Sequence, residues 1–373
     1  MKVLMLRSNA FEPEERIFKE ARTLIKAGHD VKLICWDRQL NFPKKENYDG
    51  IEIERIRLKC GFGNPVEMFF KLQKFWNEIY KKSKSLKFDV VHAFDYDTLP
   101  IASRIKKERN CKLIYNALEL FLGYTSNKII NQVLFIIEKN NLKYVDVLIH
   151  ANEERFEIFR KKTKWNKKYI ILHNYPPLGI KKFKKDYDKI IFQYCGGIKK
   201  DRNIFNIVKA FSQIKNENIE FYIYGHTNND YGRKIKEFIG KNRIKNIIIK
   251  DYIPFTELLN FMRKTHVGFV PVAKTSLNNI IPEPTKLYDN FATGNISIVE
   301  NVPYLKKIIN KDKLGFYCDF SNINDIKKNI QKIIETPKKE LKIKAEKCYN
   351  KYLQEYNWKH EEEKLIKVYE NLE

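Results

Sequence analysis

Residues 2–36 read KVLMLRSNAFEPEERIFKEARTLIKAGHDVKLICW, and the order of patterns within them decides the fold class. Val3 to Leu6 is an unbroken apolar run of the kind found in a buried strand. From Glu12 to Ala27 the apolar positions Ile17, Ala21, Leu24 and Ile25 recur at helical spacing, and Gly28 stands where a helix ends in a left-handed residue. Val31 to Trp36 is mostly apolar again. Strand, helix and strand in that order form a βαβ unit, so a parallel sheet with right-handed crossovers is expected.

The same alternation runs outward from this opening. Strands are predicted at 89–93, 112–115, 145–150 and 169–172, with helices at 99–107 and 127–141. Pro176 and Pro177 then stop the pattern, and Lys181 to Lys189 reads as a basic linker. The alternation restarts with strands at 190–194, 219–224, 244–250, 266–271 and 297–300. Helices at 204–214, 233–239, 255–262 and 285–292 lie between them, and Lys/Glu-rich helices follow from about 323. The sequence therefore predicts two doubly wound α/β halves, 1–180 and 188–354, divided near 178–188. Ligands of such folds bind beyond the carboxyl ends of the strands, which here predicts a cleft.

A length of 373 residues suits two domains, and 43% hydrophobic with 13% aromatic residues excludes a disordered chain. The formal net charge of +25 favours anionic partners: nucleic acid, membrane or phosphorylated small molecules. Charge is the only argument for nucleic acid, because no helix-turn-helix, RRM-like or zinc motif accompanies it. The six cysteines stand apart, with no metal-ligand spacing, so reduced thiols and a cytoplasmic protein are expected, with no metal site. No apolar run reaches the ~20 residues of a membrane span. Residues 66–82 interleave Phe69, Phe70, Phe75, Trp76 and Tyr80 with Lys71, Lys74, Lys81 and Lys82. This helix either packs its aromatics into the core or rests on an anionic membrane, and reversible peripheral contact with the inner face is the expectation carried forward.

Three segments carry chemistry. Gly196 and Gly197, between a strand and a helix, let backbone approach a ligand, and Arg202 five residues on can clamp a phosphate. The third glycine of a dinucleotide fingerprint is missing, which argues against hydride transfer. In Pro284-Thr285-Lys286-Leu287-Tyr288-Asp289, Lys286 and Asp289 share a helix face, so a cation for a diphosphate sits beside a carboxylate for ribose hydroxyls. In the first half, His92, Asp95, Asp97, Asn116 and Glu119 fall at strand ends, on the ligand side of such a sheet.

Taken in order and spacing, these landmarks resemble glycosyltransferase family 4 (glycosyl transferases group 1), which has the GT-B fold of two Rossmann-like domains facing each other across a cleft. The resemblance runs through Arg16 to Asp30, Trp36-Asp37-Arg38, Asp89 to Pro100, Leu172 to Pro176, Gly196 to Arg202, Pro284 to Asp289, and Trp358 with the final helix. It implies that residues 355–373 return to the first domain. It also implies a retaining hexosyl transfer from a nucleotide-diphosphate-sugar to a saccharide or lipid-linked glycan acceptor in cell-surface polysaccharide or glycoconjugate synthesis, without a tightly bound cofactor. By the same resemblance Arg202 and Lys286 stabilise the departing diphosphate, beside Gly196, Gly197 and Leu287. Asp289 holds the ribose, and Glu119 and His92 lie near the sugar or the acceptor. The chain departs from the family pattern at Gly197, at Leu118 and Phe94, where histidines are common, and at Ile281, where the first of two acids is replaced and Glu283 lies two residues on. A non-catalytic sugar-nucleotide-binding subunit and an epimerase on the same fold are the alternatives.

Overall fold

The first sheet is built around the opening βαβ unit. In the computed structural model, β1 (Lys2–Arg7) is followed by α1 (Glu15–Lys26), β2 (Asp30–Asp37), β3 (Lys45–Tyr48), β4 (Ile51–Arg57), α2 (Pro65–Ser85) and β5 (Val90–Phe94). Then come α3 (Leu99–Glu108), β6 (Lys112–Ala117), α4 (Lys128–Asn141), β7 (Val147–His150), α5 (Glu153–Thr163) and β8 (Lys168–Ile171). The structure describes residues 1–372 except 13, 62–64, 126 and 182–183, and not the side chains of 65, 66, 255 and 256; the expected linker and the expected membrane segment both include such residues. The strand order is β3-β4-β2-β1-β5-β6-β7-β8, parallel throughout except for the antiparallel β3–β4 ribbon. Since β1 pairs with β2 on one side and β5 on the other, the winding reverses there. Gly28, at φ +85°, ends α1: its N–H donates to the Ile25 carbonyl and that of His29 to Leu24. The helix starts at Glu15, later than expected, because Glu14 is extended and its carboxylate is held by Arg7 and Asn9.

The second sheet restarts the pattern. Its elements are β9 (Ile190–Cys195), α6 (Ile204–Ser212), β10 (Ile219–Tyr224), α7 (Asp230–Lys241), β11 (Ile247–Lys250), α8 (Phe255–Met262) and β12 (Val267–Val270). There follow α9 (Leu277–Ile280), α10 (Thr285–Ala292), β13 (Ile296–Glu300), α11 (Pro303–Lys311), β14 (Gly315–Cys318), α12 (Ile323–Glu335), α13 (Lys338–Gln354) and α14 (Trp358–Glu370). The order β11-β10-β9-β12-β13-β14 is fully parallel and is the doubly wound nucleotide-binding order, with its switch point between β9 and β12. Phe192, Phe211, Phe221 and Phe269 pack ring against ring in its core, mostly edge-on or tilted, in one cluster with Ile207, Ile330 and Ile333. All six cysteines are buried and free.

By contacts the chain divides into residues 1–173 with 361–373, and residues 174–360. The break falls before the expected 178–188 because the segment after it is already committed to the second unit. Tyr175 packs edge-on against Tyr288 at 4.6 Å, the Asn174 N–H donates to Glu283, and the carbonyls of Pro176 and Pro177 accept from Trp358 and Tyr352. The last helix likewise joins the first unit at Glu361, whose carboxylate accepts the His173 N–H at 2.7 Å.

Candidate functional site

At the switch point of the second sheet, β9 runs out into Gly196 and Gly197. Gly196 has φ +149°, and a Cβ there would stand 2.6 Å from Lys286 Cε and 2.8 Å from its Nζ. The lysine therefore lies directly on the glycine. Gly225, at the exit of β10, is required for the same reason: a Cβ would meet the Gly196 carbonyl oxygen at 2.2 Å. The turn is fixed from beneath by Tyr194, whose buried hydroxyl donates to the Gly197 carbonyl at 2.8 Å. Arg202 reaches the same hydroxyl from the other side through Nη1 at 3.4 Å. Asn203, left-handed at φ +55°, turns the chain into α6.

Lys286 is held over the turn by the packing of α10. Its neighbours Leu287, Tyr288 and Phe291 are buried in an apolar cluster with Val299, Leu305 and Tyr352. Asn290 accepts from Gln193 at 2.8 Å and donates to Ser297 at 2.9 Å, and its amide fills the space where Gly268 lacks a Cβ, so α10 lies tight against β12. What remains for Lys286 is the direction of the glycine turn, where its Nζ stands 6.0 Å from the Tyr194 ring centroid. Burial, with the positive charge of Arg202 beside it, lowers the Lys286 pKa to about 8, against an opposing pull from Asp289 and Cys195. Two cations thus converge on one glycine turn. Among the described residues neither forms an ion pair with a carboxylate. Asp289 lies one turn further on, nearly buried.

Two expectations here are refined. Leu287 contributes packing: its side chain is fully buried and its N–H donates to the Pro284 carbonyl at 2.8 Å. Of the amides opening α6, that of Phe205 is taken by the Tyr231 hydroxyl at 2.9 Å and is not free for phosphate. One feature escaped the sequence reading. His226 and Tyr252, at the exits of β10 and β11, stack at 5.0 Å and 9°, both exposed at the carboxyl edge beside the glycine turn. Only the pairing of β10 with β11 brings them together.

In the first unit the structure corrects the expectation for His92. Its side chain is completely buried, stacked on Phe94 at 4.5 Å, with Nδ1 2.9 Å from the Tyr369 hydroxyl. Nε2 faces Glu20, which is bound by Arg16 at 2.5 Å and by Asn116. Burial and the Arg16 charge push the His92 pKa down to about 3, so the ring is neutral and ties β5 to α1 and α14. Glu119 is more open, held at the exit of β6 by Arg155 at 3.1 Å. The polar groups that do gather at the carboxyl edge around the β1/β5 switch point are Asp95 and Asp97. Asp95 is left-handed at φ +65°, pairs with Arg7 at 2.5 Å and accepts the Leu118 N–H at 3.1 Å. Asp97 accepts from Ser8, while its Oδ1 and the Nε of Arg38 are buried without partners. Among the described residues, no three His, Cys, Asp or Glu side chains are grouped as metal ligands would be.

Residues 179–348 match the family described as Glycosyl transferases group 1, a span inside the second unit that includes the whole glycine–lysine–arginine site. The sequence matches no curated protein. Solved structures share the fold over the full chain. A sucrose-phosphate synthase from Thermosynechococcus elongatus aligns with TM-score 0.78 at 14% identity, covering 100% of this chain and 99% of that one. HepE of Anabaena, in complex with UDP and glucose, aligns with TM-score 0.71 at 11% identity over 100% of both chains. A trehalose-6-phosphate structure from E. coli, bound with UDP-2-fluoro glucose, aligns with TM-score 0.70 at 10% identity, over 98% of both chains. The chain has the GT-B fold of these structures, and its residues 179–348 match glycosyl transferases group 1.

Proposed function

We propose that the chain transfers the sugar of a nucleoside-diphosphate sugar, with retention of anomeric configuration, to a saccharide or lipid-linked glycan acceptor in the cytoplasm, as a step in cell-surface polysaccharide or glycoconjugate synthesis. The observation that carries this reading is the pair Lys286 and Arg202, converging on the turn at Gly196 with no carboxylate ion pair among the described residues. Breaking a sugar–phosphate bond loads negative charge onto the departing diphosphate. Fixed cations and backbone donors that meet this charge stabilise the transition state more than the ground state. Lys286 and Arg202 supply the cations, the glycines supply the close approach, and Asp289 lies within one helical turn to accept from ribose hydroxyls. The stacked rings of His226 and Tyr252 offer a face to the nucleobase. That UDP or a UDP sugar occupies structures sharing this fold supports the donor class. On the acceptor side, residues 1–180 contribute the open carboxylate of Glu119 and the strand-end pair Asp95 and Asp97.

The test is a thermal-shift panel of nucleoside diphosphates and their sugars. A ligand at about 100 times its Kd stabilises the folded state by about 2.7 kcal/mol. At least one nucleotide should raise the melting temperature of the wild type, and that rise should shrink for Lys286→Ala. If no nucleotide shifts the wild type, or if both proteins shift equally, the donor assignment fails.

A further inference from the structure

Helix α4 buries one face and exposes a row of aliphatic side chains on the other. Asn131, Phe135 and Glu138 point into the first unit. On the opposite side Ile129, Ile130, Val133 and Ile136 form a stripe at helical spacing, and their side chains are between 46% and 77% exposed. A monomeric surface has no use for four large aliphatic side chains in one row. The stripe is flanked by exposed Lys128 and Lys139, and the only acidic residue of the helix, Glu138, is buried. The outer face of α4 is therefore apolar and basic with no exposed carboxylate.

A second exposed pair belongs to the same end of the unit. Phe69 and Phe70, on the first turns of α2, are 57% and 61% exposed, with Lys74 exposed beside them. Both helices follow strands of the first sheet: the Trp76 indole in the middle of α2 donates to the carbonyl of Asp97, just past β5, and α4 follows β6 after the short turn Phe121–Gly123. Helix α3 packs against both. Further along α2 the aromatic residues turn inward. Phe75 and Ile79 are fully buried, and Phe75 stacks on Trp36 at 5.2 Å. Within 66–82, Phe75 and Ile79 are core packing while Phe69 and Phe70 are exposed, and the larger exposed apolar row is on α4.

We propose that this face, α4 with the start of α2, docks reversibly on an anionic lipid bilayer. Charge decides between the occupants. The protein carries a formal net charge of +25, so a second copy seated on this basic face would meet like charge. Anionic headgroups instead meet the flanking lysines while the aliphatic stripe enters the acyl boundary. No helix among the described residues is long and apolar enough to cross a membrane, so the contact is with one leaflet. A chain docked in this way meets an acceptor carried in the same bilayer; this narrows the acceptor to a lipid-linked glycan and rests on the sugar-transfer reading above.

The experiment is co-sedimentation of the full chain with phosphatidylcholine vesicles, with and without phosphatidylglycerol. A triple variant, Ile129→Gln, Val133→Gln and Ile136→Gln, changes only exposed positions and keeps good helix formers. The wild type should sediment with the anionic vesicles and not with the neutral ones, and the triple variant should bind roughly tenfold more weakly or not at all. Lys128→Gln with Lys139→Gln should weaken binding to the anionic vesicles. Nucleotide affinity, measured in parallel, should stay unchanged in both variants, which separates failure of this proposal from failure of the donor site. Wild-type protein that ignores anionic vesicles, or a triple variant that binds them as well as wild type, overturns the proposal. So does a wild-type dimer that the triple variant converts to monomer with vesicle binding unaltered.

Discussion

Lys286 should make nucleotide binding depend on pH in a range where an ordinary lysine does not titrate. In the unliganded protein its pKa is lowered to about 8 by burial and by Arg202. A diphosphate placed over Gly196 supplies negative charge and lifts the value back toward or beyond the usual range, so binding draws a proton onto the lysine above the free-state pKa. Affinity is therefore full below about pH 8 and falls as pH rises beyond it. The charged fraction is roughly nine-tenths at pH 7 and a tenth at pH 9, which corresponds to about a tenfold loss of affinity, or about 1.4 kcal/mol. Isothermal titration of a nucleoside diphosphate in two buffers of different ionisation enthalpy should show about half a proton taken up per ligand at pH 8. Lys286→Arg keeps the charge at all these pH values and should flatten the profile. Lys286→Ala should bind weakly throughout and lose about a hundredfold in turnover, the usual cost of one transition-state stabiliser. Binding by the wild type that is constant from pH 7 to 9, or an arginine variant with the wild-type slope, would refute the reasoning.

Gly196→Ala places a methyl group on the lysine's last carbons in a backbone conformation that L-residues rarely adopt; nucleotide affinity should drop at least about tenfold in a protein whose circular dichroism is native, and unchanged affinity would mean that the lysine is not held there for a ligand. Tyr252→Ala should weaken a nucleoside diphosphate and leave inorganic pyrophosphate unaffected in competition binding; equal weakening of both would remove the stacking role. His92 titrates near 6.5 when unfolded and about 3 when folded, so the unfolded chain takes up the proton first; stability is full above pH 6.5 and is lost on acidification toward pH 3, by up to about 1.4 kcal/mol per pH unit. His150, lowered to about 3 by burial and Arg155, and His266, lowered to about 4 by burial and Lys185, add two more such contributions, so His92→Gln should remove about a third of the histidine-linked slope in urea denaturation between pH 6.5 and 5.

The parallel strands could be read from the sequence because each is an apolar run bounded by helical periodicity: Lys2–Arg7, Val90–Phe94 and Ile190–Cys195 are examples. The β3–β4 ribbon could not, since Lys45–Tyr48 is an edge strand of polar residues, and in Ile51–Arg57 the alternation IEIERIR is as charged as it is apolar. Strand β14 was missed for a related reason: Gly315–Cys318 is short, and its Tyr317 is exposed. At the site, Gly196, Arg202 and Lys286 were visible because tight turns and helix starts have local signatures. His92 was misjudged because its partners, Glu20 and Tyr369, are far away in sequence, and only the folded chain shows that they enclose it. The stacking of His226 on Tyr252 and the outward stripe of α4 share that limit. The sequence marks 127–141 as a helix, but not which of its faces the fold leaves exposed.

The join between His92 and Tyr369 also bears on how the chain is made. A ribosome releases the first sheet long before residues 361–373 exist. Until then His92, Glu20 and Asn116 face an open slot that the last helix will fill, and the His173 N–H waits for the Glu361 carboxylate. The second unit, continuous from 174 to 360, has all of its own strands in hand before synthesis reaches that helix. The half that emerges first is therefore completed last, and a chain stalled just short of Glu361 would carry a finished second sheet and an unfinished first unit.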